Sequence, residues 1–221
     1  MPEEFGMCFS AEVDFAAAAV ITVPAVDSLR HVESPNELPI ALVPSLFVVH
    51  SLASGLTWLG VDGSVSGPVG TAAEWIYVLI AFVVIPALVP FAVWCLERTR
   101  WRRQVTGSVA FVGSVVAVIF LLRLMLNGYV AIAHDDWIQW EVQGAGTVLL
   151  TAGYLLATCG VLLISGERWL FIYGLVNVVA VAAIATATRE GFASVWCFWA
   201  ALTSVFVAAY LRQRGESRRA T

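Results

Sequence analysis

His50 sits midway along an apolar run from Leu38 to Leu59. An ionisable ring at that depth in hydrocarbon is expensive and normally faces a bundle interior or a cavity. Ser54 and Thr57 follow at i+4 and i+7 and share its helical face. Two readings stand side by side. The imidazole is either a neutral hydrogen-bonding link between helices, or a group that binds a ligand, handles a proton or holds a metal.

Other polar residues in apolar surroundings form matching stripes. Thr147, Thr151, Tyr154 and Thr158 share one face, Tyr173 and Asn177 a second, and Ser194, Cys197, Ala201 and Ser204 a third. Small and hydroxylated residues also let membrane helices approach closely, so packing explains these stripes as well. Asn177 is harder to dismiss, because a buried amide demands partners. Candidate ligand contacts are therefore His50, Ser54, Asn177 and Ser194.

Cys8 and Cys197 are expected on the outer side, where they could pair as a disulfide or join His50 or His134 on a metal. Inert packing is the competing reading. Cys95 and Cys159 lie toward the inner side as small apolar residues. No HExxH, GxSxG or CxxC occurs. The chain also contains no lysine, which excludes a covalent retinal Schiff base and a P-loop. A bis-histidine haem within the bundle would need a second intramembrane histidine, and only His50 qualifies. A zinc hydrolase of the seven-helix ceramidase and progestin-receptor type would need three histidines, two near the last span, which has none.

The elements that must position these groups are membrane helices. Of 221 residues, 60% are apolar and 13% charged, with a mean hydropathy of +0.84. Soluble domains are about half apolar and a quarter charged, so the chain belongs in a lipid bilayer. A net charge of -4 offers no basic field for nucleic acid. A span needs about 20 mostly apolar residues. Six runs meet this: Leu38 to Leu59, Ala72 to Leu96, Val105 to Leu126, Gly144 to Ile164, Trp169 to Thr186 and Phe192 to Leu211. A seventh, near residues 10–27, carries Glu12 and Asp14 in its first turn with Ser10 as N-cap, where acids suit the helix dipole.

Arginine accumulates in cytoplasmic loops, and the seven spans put ten of the twelve arginines on one side: Arg30, Arg98, Arg100, Arg102, Arg103, Arg168, Arg212, Arg214, Arg218 and Arg219. The expected fold is an all-α integral membrane bundle of seven helices, N-terminus outside and C-terminus cytoplasmic. It forms one domain over 1–211 and a disordered arginine-rich tail over 212–221. No signal peptide is visible, and the chain is expected to start at Met1 or Met7. Asp135 and Asp136 read as a solvated loop. Arg123 either snorkels to the interface or pairs with Asp14 or Glu74.

Both ends of the chain carry a resemblance. Met7-Cys8-Phe9-Ser10-Ala11 and Ser194-Val195-Trp196-Cys197-Phe198-Trp199-Ala200-Ala201 resemble the opening and closing signatures of a family of small prokaryotic multi-span membrane proteins of unknown function. The stretch from His50 to Trp58 is similar to a family segment with Gln at its first position and Glu at its fifth, here His50 and Ser54. The resemblance implies membrane class and a single domain from Met7 onward. It implies no activity.

The expected function is binding or transport of a small ligand or ion in an outward-facing polar pocket around His50, in a multi-pass cell-membrane protein. The alternatives are a metal-dependent or redox membrane enzyme using Cys8, His50, His134 and Cys197, and a structural or partner-binding membrane subunit. Two placements are also expected: Cys8 close to Cys197, and His50 facing the interior near polar atoms of the sixth or seventh helix.

Overall fold

The computed structural model describes residues 10–134, 137–187 and 192–219. Helix α1, Ala11–Arg30, begins where the Ser10 hydroxyl accepts the Val13 N–H, with Glu12 and Asp14 in its first turn. A tight turn over Pro35–Glu37 leads into α2, Leu38–Val61. The next rod is α3, Gly67–Leu79, and α4, Ile85–Leu96, joined through a π turn at Ile80–Val84. Then comes α5, Arg100–Asn127, ended by Gly128 at φ 75, a conformation that favours glycine.

Beyond a β-hairpin, α6, Val148–Leu155, and α7, Val161–Ile164, flank a second π turn at Leu156–Gly160. Helix α8 is Arg168–Ala187, α9 is Phe192–Thr203 and α10 is Val205–Arg219. The last two form one rod broken at Ser204, whose hydroxyl donates to the Ala201 carbonyl at 2.6 Å.

Among the described residues, five helical stretches are long and apolar enough to cross a membrane: Pro35–Val61, Gly67–Leu96, Arg100–Asn127, Arg168–Ala187 and Phe192–Ser217. Val148–Ile164 is apolar but shorter. It starts four residues later than the apolar run suggests, because Gly144, at φ 73, turns the chain first.

The first π turn has a local cause. Within it the Ile85 N–H reaches back to the Ile80 carbonyl, a five-residue step. The next residue in that register, Pro86, has no N–H to offer the Ala81 carbonyl. The Tyr154 hydroxyl of α6 donates to that oxygen instead, at 2.6 Å. Such irregular turns are where freed backbone groups in apolar surroundings must borrow donors.

Small residues set the closest approaches. Gly55 of α2 faces the Phe15 ring of α1, and a Cβ at Gly113 of α5 would collide with the Pro86 carbonyl. Gly174 of α8 packs on Leu162 and the Leu163 backbone. Glycines at these points let the helix backbones approach closely enough to pack over a continuous contact area. An apolar face of α5 is left uncovered, with Phe111 71% and Leu126 78% exposed.

Two features depart from the all-α expectation and from its tail. The loop around His134 is a two-stranded antiparallel hairpin, β1 Tyr129–Ala133 and β2 Ile138–Val142, pairing Tyr129 with Val142 and Ala131 with Trp140. Ile138, Trp140 and Val142 turn inward while Gln139 and Glu141 do not, the alternation of a half-buried strand. At the opposite end, α10 runs through Arg212 to Arg219 where a disordered tail was expected. Arg212 forks onto Asp27 of α1 at 2.6 and 2.8 Å. The Arg214 Nε lies 3.0 Å from Glu37, whose other oxygen accepts the Glu33 and Ser34 N–H groups. Carboxylates far away in sequence order what composition alone reads as a solvated charge run.

Candidate functional site

The site is assembled by the hairpin end of the bundle. Helix α2 presents His50, Ser51, Ser54 and Trp58; α1 adds Asp14, α3 Tyr77, α9 Ser194 and Phe198, and β2 Ile138. They enclose about 10 Å³, room for roughly one water molecule. His50 is 3% exposed and Asp14 6%. The Tyr77 ring lies between the imidazole, at 4.1 Å between centroids, and the Trp140 indole, stacked at 4.2 Å.

Hydrogen bonding leaves specific capacity over. The Ser54 hydroxyl donates to Asp14 Oδ2 at 2.6 Å, and the Ser194 hydroxyl donates to the Ile138 carbonyl at 2.6 Å, tying α9 to the hairpin. Among the described residues Asp14 has no cationic partner within ion-pair distance. His50 Nε2 and the Tyr77 hydroxyl are buried without a hydrogen-bond partner. A carboxylate, a ring nitrogen and a phenol thus share one enclosed polar space in which the carboxylate's charge is uncompensated.

The hairpin is pinned from the other side by Tyr129, whose hydroxyl donates to Glu74 Oε2 at 2.7 Å. Burial, and then the Glu74 carboxylate, raise the Tyr129 hydroxyl above its ordinary tyrosine value and keep it a donor. Arg123 pairs with neither Asp14 nor Glu74; it is exposed and its guanidinium lies against Gly144.

Of the residues singled out from the sequence, His50, Ser54 and Ser194 meet in this cavity. Asn177 does not line it: its amide donates to the Tyr173 carbonyl one turn earlier, at 2.8 Å. Thr57 likewise turns back to the Ala53 carbonyl. His134 lies at the hairpin turn, 3.1 Å from Gln139 Oε1. Cys197 is a buried thiol, and Cys8, Asp135 and Asp136 fall outside the described residues. Among the described residues no three His, Cys, Asp or Glu side chains converge as a metal site would require. The arrangement therefore does not gather His50, His134 and Cys197 around one point.

Tyr77, Trp58 and the Ile138 carbonyl were not singled out by sequence reasoning. The available signal for Tyr77 was weak: Ala73, Tyr77 and Ala81 recur every four residues in an otherwise apolar run. For Ile138 and Trp140 it was the alternation in Ile-Gln-Trp-Glu-Val.

A family model matches residues 7–221, which includes every residue of the cavity. The chain belongs to the family of unknown function DUF6629. No curated protein and no solved structure matches it. Membership covers the same extent as the resemblance from Met7 onward and leaves the chemistry to be argued from the cavity itself.

Proposed function

We propose that this DUF6629 protein is a multi-pass cell-membrane protein that binds one small cation, a proton or an alkali-metal ion, in the cavity between Asp14 and His50. The hairpin end faces outward and the arginine-rich end the cytoplasm. One observation carries the reading: Asp14 is a nearly fully buried carboxylate with a hydroxyl donor but no cationic side chain beside it. A buried charge without a partner is costly, and taking up a cation removes that cost. His50, Ser194 and Tyr77 supply further polar atoms on the same small space. Its volume suits an ion or proton with one water and excludes a metabolite-sized ligand. Intramembrane carboxylate and histidine pairs are typical of ion and proton paths, and the segregation of ten arginines to one end supports the orientation.

The test is ligand-linked stability of the purified protein. A cation that binds only the folded state raises its melting temperature with concentration. Melting temperature should rise with sodium or potassium chloride relative to choline chloride, or with acidification, and Asp14→Asn should remove the response. Identical responses in wild type and Asp14→Asn would sink the proposal.

A further inference from the structure

At the arginine-rich end of the bundle an open groove of about 740 Å³ runs between α4 and α5. Arg100, Arg103, Gly107 and Phe111 line it at helical spacing, so one face of α5 forms its length, and Trp94 of α4 forms its side. Phe111 lies about 16 Å along the axis from Arg100. Gly107 keeps the floor low, since a Cβ there would stand 3.0 Å from the Trp94 indole nitrogen. The Arg103 guanidinium lies 5.1 Å from the centre of the Trp94 ring, a cation–π contact. Among the described residues neither Arg100 nor Arg103 has a carboxylate within ion-pair distance, and no acid lines the groove. Glu97, close in sequence, is buried and accepts the Gly166 N–H at 2.8 Å instead. The first turn of α5 holds no acid either, so these arginines stand at the positive end of a helix dipole, where an anion is favoured.

The chemistry of the groove changes along its length. Arg100 and Arg103 precede the apolar run that begins at Val105, whereas Gly107 and Phe111 lie within it. In a bilayer the guanidiniums would sit at headgroup depth and the rest of the groove beside the acyl chains. A soluble phosphate would use the arginines and leave the apolar length empty. A hydrocarbon would do the reverse and leave two cations without a counterion. A zwitterionic lipid carries its own cation beside its phosphate and gains less from arginine. We propose that this groove holds one anionic glycerophospholipid, its phosphate on Arg100 and Arg103 and an acyl chain along Gly107 and Phe111 beside Trp94. Basic pockets between membrane helices take such headgroups. The inference rests on reading α5 as a membrane span and is independent of the cation at Asp14.

The purified full-length protein in detergent is titrated with dioleoylphosphatidylglycerol, with dioleoylphosphatidylcholine and with glycerophosphoglycerol, the headgroup alone. Bound molecules are counted by native mass spectrometry. One phosphatidylglycerol should be held about tenfold more tightly than phosphatidylcholine, and the free headgroup should not displace it. Replacing both groove arginines, Arg100→Gln with Arg103→Gln, should erase the preference. Arg98→Gln with Arg168→Gln removes the same charge from a neighbouring cleft at the same end and should keep it. Ser108→Trp retains both groove arginines but fills the groove from an exposed position, so it should release the lipid. Equal retention of the two lipids, displacement by the free headgroup, or equal losses in the two double variants would overturn the inference. A protein that stays soluble without detergent would remove the membrane reading and this site with it, whereas a lipid preference without any response to alkali-metal ions would reject only the cation.

Discussion

At the scale of single residues, Asp14 and Glu74 show two ways of seating a carboxylate beside an apolar core. Glu74 accepts from Tyr129, whose hydroxyl stays neutral. Asp14 accepts from Ser54 in a more enclosed setting. Ser54→Ala removes that donor and should cost about 1–3 kcal/mol, the usual loss when a buried acceptor goes unpaired. Asp14→Asn removes the charge itself and should leave stability equal or higher. Denaturant unfolding of the two variants checks the order, and a larger loss for Asp14→Asn would contradict the view that the carboxylate is uncompensated. His50, Ser54 and Ser194 were legible in the sequence because polar types at helical spacing stand out against apolar runs. Tyr77 was not, since a tyrosine in an apolar helix has many uses, and only its place between His50 and Trp140 gives it this one.

Elements reveal more that sequence alone conceals. Hydropathy marks the long helices well because a helix long and apolar enough to cross a bilayer is an unbroken apolar stretch in the sequence. It is blind to the hairpin, whose strands are short and flanked by acids, and to the ordering of α10, whose partners lie up to 185 residues away. The two arginine contacts of α10 differ in kind. The Arg212 side chain is 59% exposed beside Asp27, whereas Arg214 is 15% exposed beside a 1% exposed Glu37. Arg212→Ala should therefore cost little. Arg214→Ala takes the cation away from a buried carboxylate and should cost about 3 kcal/mol or more. Thermal unfolding of the pair measures this, and equal losses would show that the Glu37 contact is no more than a surface pair. Tyr154→Phe belongs at this scale too. It orphans the Ala81 carbonyl that Pro86 cannot serve, at about 1–3 kcal/mol, where a phenylalanine of the same shape would otherwise be nearly neutral. Unfolding measurements decide between the two, and a neutral Tyr154→Phe would mean the oxygen finds another donor.

For the whole molecule, the division of labour runs along the bundle axis. The hairpin end gathers Asp14, His50, their cavity and the aromatic stack, while the other end is stitched by arginines to Asp27, Glu37 and Glu167. The orientation proposed above makes a direct prediction. In a background with its native cysteines replaced by serine, Arg102→Cys should resist a membrane-impermeant thiol reagent applied to intact cells and react once the cells are opened. Labelling from outside would reverse the assignment of both ends. The hydroxyl bridge from Tyr154 to Ala81 also has a mechanical meaning. It bolts two rods together at the π turn of one and a few residues before the π turn of the other, so sliding between them breaks the bond that replaces a missing backbone donor.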